Sequence, residues 1–325
     1  MSQGKRMGAG GPLVSVVLCT YNRADYMRDA LTTLVAAVHA SERDVEILVV
    51  NNSSTDKTAE VVTRLIDENP DMRIFLINEP KKGLSHARNT GISRSRGDVI
   101  CFLDDDVLIP EGWLSGLLNG FSLDGRVGCV AGRIELSWPD VSRPKWIDSR
   151  CLRLYGAFSH GERSFVLPRG NDFFGGNAAL SREAVEVVGL FDTGLGRKEG
   201  SLMSGEDTDY SRRLWESGFS IAYSSEGFIY HRVQPERLTF LWVARRTFWA
   251  GVTNYFRHGR LLYPLRSLPK LILNAVLLIL YAVLFQKNKV VTTCFRLSTA
   301  AGPLYGWYLH FKAGRNRTRE TGVAT

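Results

Sequence analysis

"CFLDDDVLIPEGW", residues 101–113, sets Asp104, Asp105 and Asp106 directly behind an apolar run. Like charges at this range repel, so the triplet costs free energy unless something positive meets it. In an extended segment residues i and i+2 point the same way. Asp104 and Asp106 can therefore face one site while Asp105 points away. A hard divalent cation, Mg²⁺ or Mn²⁺, is the simplest partner for two converging carboxylates, and phosphate oxygens complete such a shell. That suits a bound nucleoside diphosphate. The plain alternative is an acidic turn in solvent, and a position at the end of a buried strand argues against it.

The neighbouring segments place that strand in a sheet. "LVSVVLCTYN" (13–22), "VEILVVNNSSTD" (45–56), "MRIFLIN" (72–78) and "DVICFL" (98–103) read as buried strands. Met27, Leu31, Leu34, Val35 and Val38 recur at helical spacing. Further helices are expected over 56–68, capped by Ser54 or Thr55, and over 83–95. This alternation implies an α/β fold with a parallel sheet covered on both faces. Ligands bind such sheets beyond the carboxyl ends of the strands. Residues 20–23, 51–56 and 104–106 are polar clusters at those ends. No GxGxxG follows the first strand, which argues against a dinucleotide site.

Residues 107–231 are less regular. A strand is expected over 127–136, loop over 137–146 and much of 147–175, and a Gly-rich turn, strand and helix over 175–192. Segment 194–205 reads as mobile, 206–218 as a helix, and 219–231 as two short strands. Glu206 and Asp207 open that helix, where the macrodipole stabilises negative charge. A carboxylate beside a Gly-rich loop is well placed to take a proton from an incoming hydroxyl.

The 325 residues suffice for one large α/β domain with an appendage. Apolar and charged contents of 44% and 23% are those of a globular chain. The formal charge of +8 is uneven: from Arg232 to Thr325 fifteen Lys or Arg face only Glu236 and Glu320, a net of +13. These charges are interleaved with long apolar runs, which favours an anionic membrane surface over nucleic acid. One run, 271–285, is apolar except for Asn274 and spans roughly 22 Å, short of a ~30 Å bilayer core. A second, 290–311, is interrupted by Arg296 and Pro303. The expected organisation is an N-terminal tail over 1–12, a catalytic domain over 13–231 and a membrane-associating helical region over 232–325. Five scattered cysteines with no CxxC read as core residues in a reducing compartment. "MSQGKRMGAGGP" has no apolar stretch of the secretory kind, and Ser2 excludes myristoylation.

Six segments in order, "VSVVLCTYNR", "VNNSSTDKT", "KKGLSHARNTGI", "GDVICFLDDD", "GGNAALSREAVEVVGLFD" and "GEDTDYSRRL", give the chain its resemblance to glycosyltransferase family 2. Those are inverting enzymes of the GT-A fold that use nucleotide sugars. The resemblance covers roughly 13–231 and implies a Rossmann-like, mostly parallel sheet flanked by helices. It implies that Thr20, Tyr21 and Asn22 line the nucleoside pocket, with Asn51 at the base and Arg88 and Asn89 supporting the nucleotide site. Asp104 and Asp105 then belong to the nucleotide-sugar set, Asp104 near the ribose or metal, and Asp106 binds the metal. Gly176 and Asn177 border the donor sugar and acceptor. Asp207 is the general base, with Glu206 beside it, and His231 stands where some relatives place a histidine near the diphosphate. "NNSS" replaces the family's frequent "DDGS", which leaves the donor base open. Gln234 and Arg237 partly match a QxxRW pattern of processive synthases, with Leu238 where the tryptophan would be.

The expected acceptor is a saccharide or lipid-linked hydroxyl at the cytoplasmic face of the plasma membrane. Two other classes remain: a sugar nucleotidyltransferase, which should carry a Gly-rich loop after the first strand, and a non-catalytic membrane-anchored nucleotide-sugar-binding protein. The intact Asp104, Asp106 and Asp207 argue against the latter.

Overall fold

The computed structural model describes residues 13–138, 142–147, 149–198, 200–258 and 263–321. They fall into two compact units. The first holds the described residues of Met1–Pro139, Tyr155–Gly194 and Glu206–Val233; the second holds those of Asp140–Leu154, Leu195–Gly205 and Gln234–Thr325.

In the first unit, the apolar β-branched runs form strands because both their faces are covered. β1 (Val14–Thr20) and β2 (Val45–Asn51) are buried at every position. Helix α1 (Ala24–Ala40) lies between them in sequence, burying Met27, Ala30, Leu31, Leu34, Ala37 and Val38. Helix α2 (Thr58–Glu68) follows β2. It starts later than Ser54 or Thr55, because the Asp56 carboxylate accepts the Thr58 N–H at 3.0 Å and sets the first turn there. β3 (Arg73–Asn78), α3 (Leu84–Arg94), β4 (Val99–Leu103), β5 (Val107–Leu108) and α4 (Trp113–Gly120) come next. β6 (Val127–Ser137), β7 (Phe165–Val166), β8 (Asn177–Ser181), α5 (Arg182–Val188), α6 (Glu206–Glu216) and β9 (Ser220–Arg232) complete the unit.

One nine-stranded sheet runs in the order β3-β2-β1-β4-β8-β6-β9-β5, with β7 on β9. The expected parallel pairing holds for β3, β2, β1 and β4. Beyond β4 the sheet is mixed, since β8 runs antiparallel to both β4 and β6, and β9 is parallel to β6. The two strands expected over 219–231 are one. "SSEG" (224–227) resembles a turn, but here it is a bulge: pairing skips from Gly132↔Ser224 to Ile134↔Ile229. The small residues make room for α4, as Ser224 Oγ donates to Gly116 O at 2.7 Å and a Cβ on Gly227 would lie 2.8 Å from Leu117 N. The span expected as loop also contains a short 3₁₀ turn at Ser149–Tyr155, besides β7.

The second unit is helical. It holds α7 (Phe240–His258), α8 (Leu268–Val283) and α9 (Lys287–Thr321), and among the described residues one stretch, Pro264–Val283, formed by the 3₁₀ turn before α8 and α8 itself, is long and apolar enough to cross a bilayer. The apolar run 290–311 is not broken at Pro303; α9 continues through it. α7 and α9 approach until backbone meets backbone, since a Cβ on Gly251 would overlap Thr299 O and one on Gly302 would overlap Phe248 O. Segment 194–205, expected to be mobile, donates and accepts hydrogen bonds with α7 from residue 200 onward.

α3 is seated on β1 by Gly91, where a Cβ would overlap Val17 Cγ1. Gly91→Val should therefore lower stability by about 1–3 kcal/mol through overpacking. Urea unfolding of the two proteins measures the difference.

Candidate active site

Strand register builds the acidic cluster. β4 ends at Leu103, opposite Asn177 of β8, so Asp104 emerges against Gly176. A Cβ on Gly176 would lie 2.6 Å from Asp104 Oδ2, so only glycine leaves that carboxylate in place. β5 sets Val107 opposite His231 of β9. His231 Nε2 thereby lies 3.1 Å from Asp106 Oδ1, and both side chains are buried. One ligand atom each from Asp104, Asp106 and His231 lie within 4.8 Å of one another. Nδ1 of His231 is buried with no hydrogen-bond partner among the described residues. Two carboxylates and an imidazole with an orphaned nitrogen fit a divalent cation.

Asp105 points away from that cluster, toward Arg23 Nε at 3.8 Å. Burial, then the charge of Asp106, pushes its carboxyl up to about 7, and Arg23 partly opposes this.

A second cluster forms around Arg88 of α3, whose side chain is 3% exposed. Its Nη1 lies 2.6 Å from Asp207 Oδ1 and 3.4 Å from Glu206 Oε1. Burial opposes the guanidinium charge, but Asp207 and Glu206 more than compensate and hold it protonated. Asp207 Oδ2 accepts the Gly175 N–H at 2.9 Å. Both acids open α6, where the helix dipole favours negative charge. Of the two, Asp207 is the accessible one, with 21% side-chain exposure against 5% for Glu206. Loop 171–175 is tied to α6 along its length. Thr208 Oγ1 donates to Asp172 Oδ2, the Phe173 N–H donates to Ser211 Oγ, and Trp215 Nε1 donates to Asn171 O.

The remaining expected residues divide by exposure and bonding. Thr20 is buried and Tyr21 half-buried at the end of β1, with Lys82 Nζ 5.4 Å from the Tyr21 ring. Asn22 has a left-handed backbone (φ 52°), and its Oδ1 accepts the Thr55 N–H at 2.7 Å, joining two strand-end loops. Asn51 Oδ1 accepts the Ser54 N–H and its Nδ2 donates to Asn78 Oδ1, each at 3.1 Å. Asn89 exchanges two hydrogen bonds with the Phe191 backbone. Asn177 is fully buried; it accepts from Trp113 Nε1 and donates to the carbonyls of Arg133 and Gly227. Asn51, Asn89 and Asn177 thus shape the walls through internal bonds. Trp113, Gly175 and Asp172 escaped the sequence reading. Trp113 left a trace as the lone tryptophan closing "DDDVLIPEGW", and Gly175 as the first residue of the Gly-rich turn.

The family model for glycosyl transferase family 2 matches residues 15–189. The chain belongs to that family. Among curated relatives of this glycosyltransferase is the succinoglycan biosynthesis protein ExoM of Rhizobium meliloti, 30% identical over 77% of this chain and 75% of that one. The glucosyl-dolichyl phosphate glucuronosyltransferase of Haloferax volcanii is 26% identical, covering 85% and 87%. The mannosyltransferase PcManGT of Pyrobaculum calidifontis, solved with GDP-Man and Mn²⁺, shares the fold. Its TM-score is 0.57 at 20% identity, covering 94% of this chain and 80% of that one.

The Arg88 cluster gives a stability test. Arg88→Met leaves two adjoining carboxylates without their cation and should cost about 3–5 kcal/mol. Adding Glu206→Gln and Asp207→Asn to the same chain should recover part of that loss, read as denaturation midpoints.

Proposed function

We propose that this glycosyltransferase moves a glycosyl group from a nucleoside-diphosphate sugar to a hydroxyl acceptor, with inversion at the anomeric carbon. The observation that carries the reading is the pairing of two sites in one unit: the Asp104–Asp106–His231 cluster and the partly exposed Asp207. Asp104, Asp106 and His231 would hold Mg²⁺ or Mn²⁺. When bound, that ion supplies charge neutralisation for a departing diphosphate. The imidazole in the set favours Mn²⁺.

Asp207 acts as the base. Arg88 and the Gly175 N–H take one lone pair from each carboxylate oxygen, which fixes its plane and leaves acceptor capacity on both. The acceptor O–H proton passes to Asp207 as its oxygen bonds to the anomeric carbon. The bond from that carbon to the diphosphate oxygen breaks, and the electron pair leaves with the nucleotide. A single displacement from the opposite face inverts the configuration. Glu206 balances Arg88 from behind. Tyr21 and Lys82 stand where a nucleoside would enter at the strand ends.

The acceptor is taken to be a lipid-linked or cell-surface saccharide. The ExoM relative is named for succinoglycan biosynthesis, and the Haloferax relative for glucosyl-dolichyl phosphate. The second unit would meet an anionic membrane at its cytoplasmic face. In α8, Ile272, Val276, Ile279 and Val283 are 67%, 58%, 67% and 66% exposed along one face. Water does not favour such a stripe, and the +13 charge of the C-terminal region complements anionic lipid. Free cysteines at 19, 101, 129, 151 and 294 are consistent with a reducing compartment.

Asp207→Asn should bind a nucleotide sugar with an unchanged Kd in calorimetry while transfer falls by about 10²–10⁴-fold. Chelation of divalent ions should stop the wild type. Sustained turnover by Asp207→Asn would remove that residue as base. For the membrane, the double variant Ile272→Asp/Ile279→Asp should stop co-floating with phosphatidylglycerol vesicles. Flotation unchanged from the parent would exclude α8 as the contact.

A further inference from the structure

We propose that Ser211 is a positioning residue for the base: with Trp215 it sets the register of residues 171–175 on α6, and so sets the Gly175 N–H against Asp207. The inference rests on Asp207 as the base. Asp207, Ser211 and Trp215 recur every four residues along α6, so they share one face of the helix. Asn171, Phe173 and Gly175 alternate along a segment with no helix or strand of its own. The two sets meet rung by rung. Trp215 Nε1 donates to Asn171 O at 2.9 Å, the Phe173 N–H donates to Ser211 Oγ at 3.1 Å, and the Gly175 N–H donates to Asp207 Oδ2 at 2.9 Å. Their pitches agree: four helical residues rise about 6 Å, and two residues of open chain reach about 6.6 Å. Thr208 Oγ1 donates to Asp172 Oδ2 at 2.8 Å and ties the two from the side.

The middle rung is joined to the base residue itself. Ser211 Oγ donates to Asp207 O at 2.7 Å, the bond of a serine to the carbonyl four residues back. The same oxygen accepts the Phe173 N–H. Ser211 is fully buried and Phe173 is 1% exposed, so that N–H depends on this hydroxyl. Asp207 is therefore held at its carbonyl and at its carboxylate by one five-residue stretch of chain. The last rung has no slack: a Cβ on Gly175 would overlap the Arg88 guanidinium and lie 2.7 Å from Asp207 Oδ1. Losing the middle rung frees the Gly175 end to shift against the base, and a displacement of about 1 Å can cost 10²-fold in rate. Ser211 and Trp215 act on the reaction only through the segment they hold.

The test uses the full-length enzyme with Ser211→Ala, Ser211→Thr and Trp215→Phe. The probe is whichever of UDP-glucose, GDP-mannose and dTDP-glucose the parent binds with Mn²⁺. Turnover is read as release of the nucleoside diphosphate, normalised to the number of binding sites found by calorimetry. Ser211→Ala should show a kcat at least tenfold lower per site, an unchanged donor Kd, and faster hydrogen exchange at the Gly175 amide. Ser211→Thr keeps the hydroxyl and should recover part of kcat. Trp215→Phe keeps a ring, removes the donor to Asn171 O, and should move both readouts the same way; it carries the test if Ser211→Ala does not fold. A purely structural role would lower the number of sites and leave kcat per site normal. That result, or unchanged Gly175 exchange in the folded variants, would overturn the proposal. If instead Asp207→Asn keeps its turnover, the base assignment fails, while Gly175 exchange in Ser211→Ala still reports whether the rungs set the register.

Discussion

A guanidinium sealed from water is costly unless every charge and donor around it is matched. Arg88 meets that demand through three stretches of chain far apart in sequence: α3, the glycine pair at 175–176 and the start of α6. Its ring contact with Phe191, at 5.4 Å, brings in a fourth, and Asn89 beside it pins the Phe191 backbone. Moving the start of α6 away leaves that buried charge unmatched, which ties α3 and α6 together around it. The same requirement explains Gly175, where a Cβ would overlap the guanidinium itself.

The three aspartates divide the work at the other end of the site. Asp104 and Asp106 converge across the turn between β4 and β5, not along an extended strand as the spacing suggests, and Asp105 points to Arg23. Backbone pairing, not side-chain attraction, brings the third member: β5 is two residues long, yet its ladder sets His231 beside Asp106. The Arg232 N–H to Asp106 O bond, at 2.9 Å, extends that ladder by one step.

Much of this was legible in the chain. Of the four apolar strands of the parallel half, β1, β2 and β4 are buried on both faces, so composition alone marks them, and the edge strand β3 is marked by its β-branched run. The carboxylates opening α6 obey helix electrostatics and are equally visible. What escaped was non-local or ambiguous. "SSEG" contains turn residues, and a bulge uses the same ones; only the crossing of α4 decides between them. Asn51, Asn89 and Asn177 are polar residues near a ligand edge, and sequence cannot tell an internal bond from a ligand contact. Segment 194–205 looked free because glycines signal freedom, whereas Gly205 marks close approach.

The length of β9 has a further consequence. This single strand pairs with β5, β6 and β7 and carries His231 near its end. A slip of one residue would exchange His231 for Tyr230 or Arg232 and turn every side chain to the opposite face. The Asp104–Asp106–His231 cluster would then be lost outright and not loosened by degrees, so its geometry belongs to the whole aligned ladder and not to one corner of it.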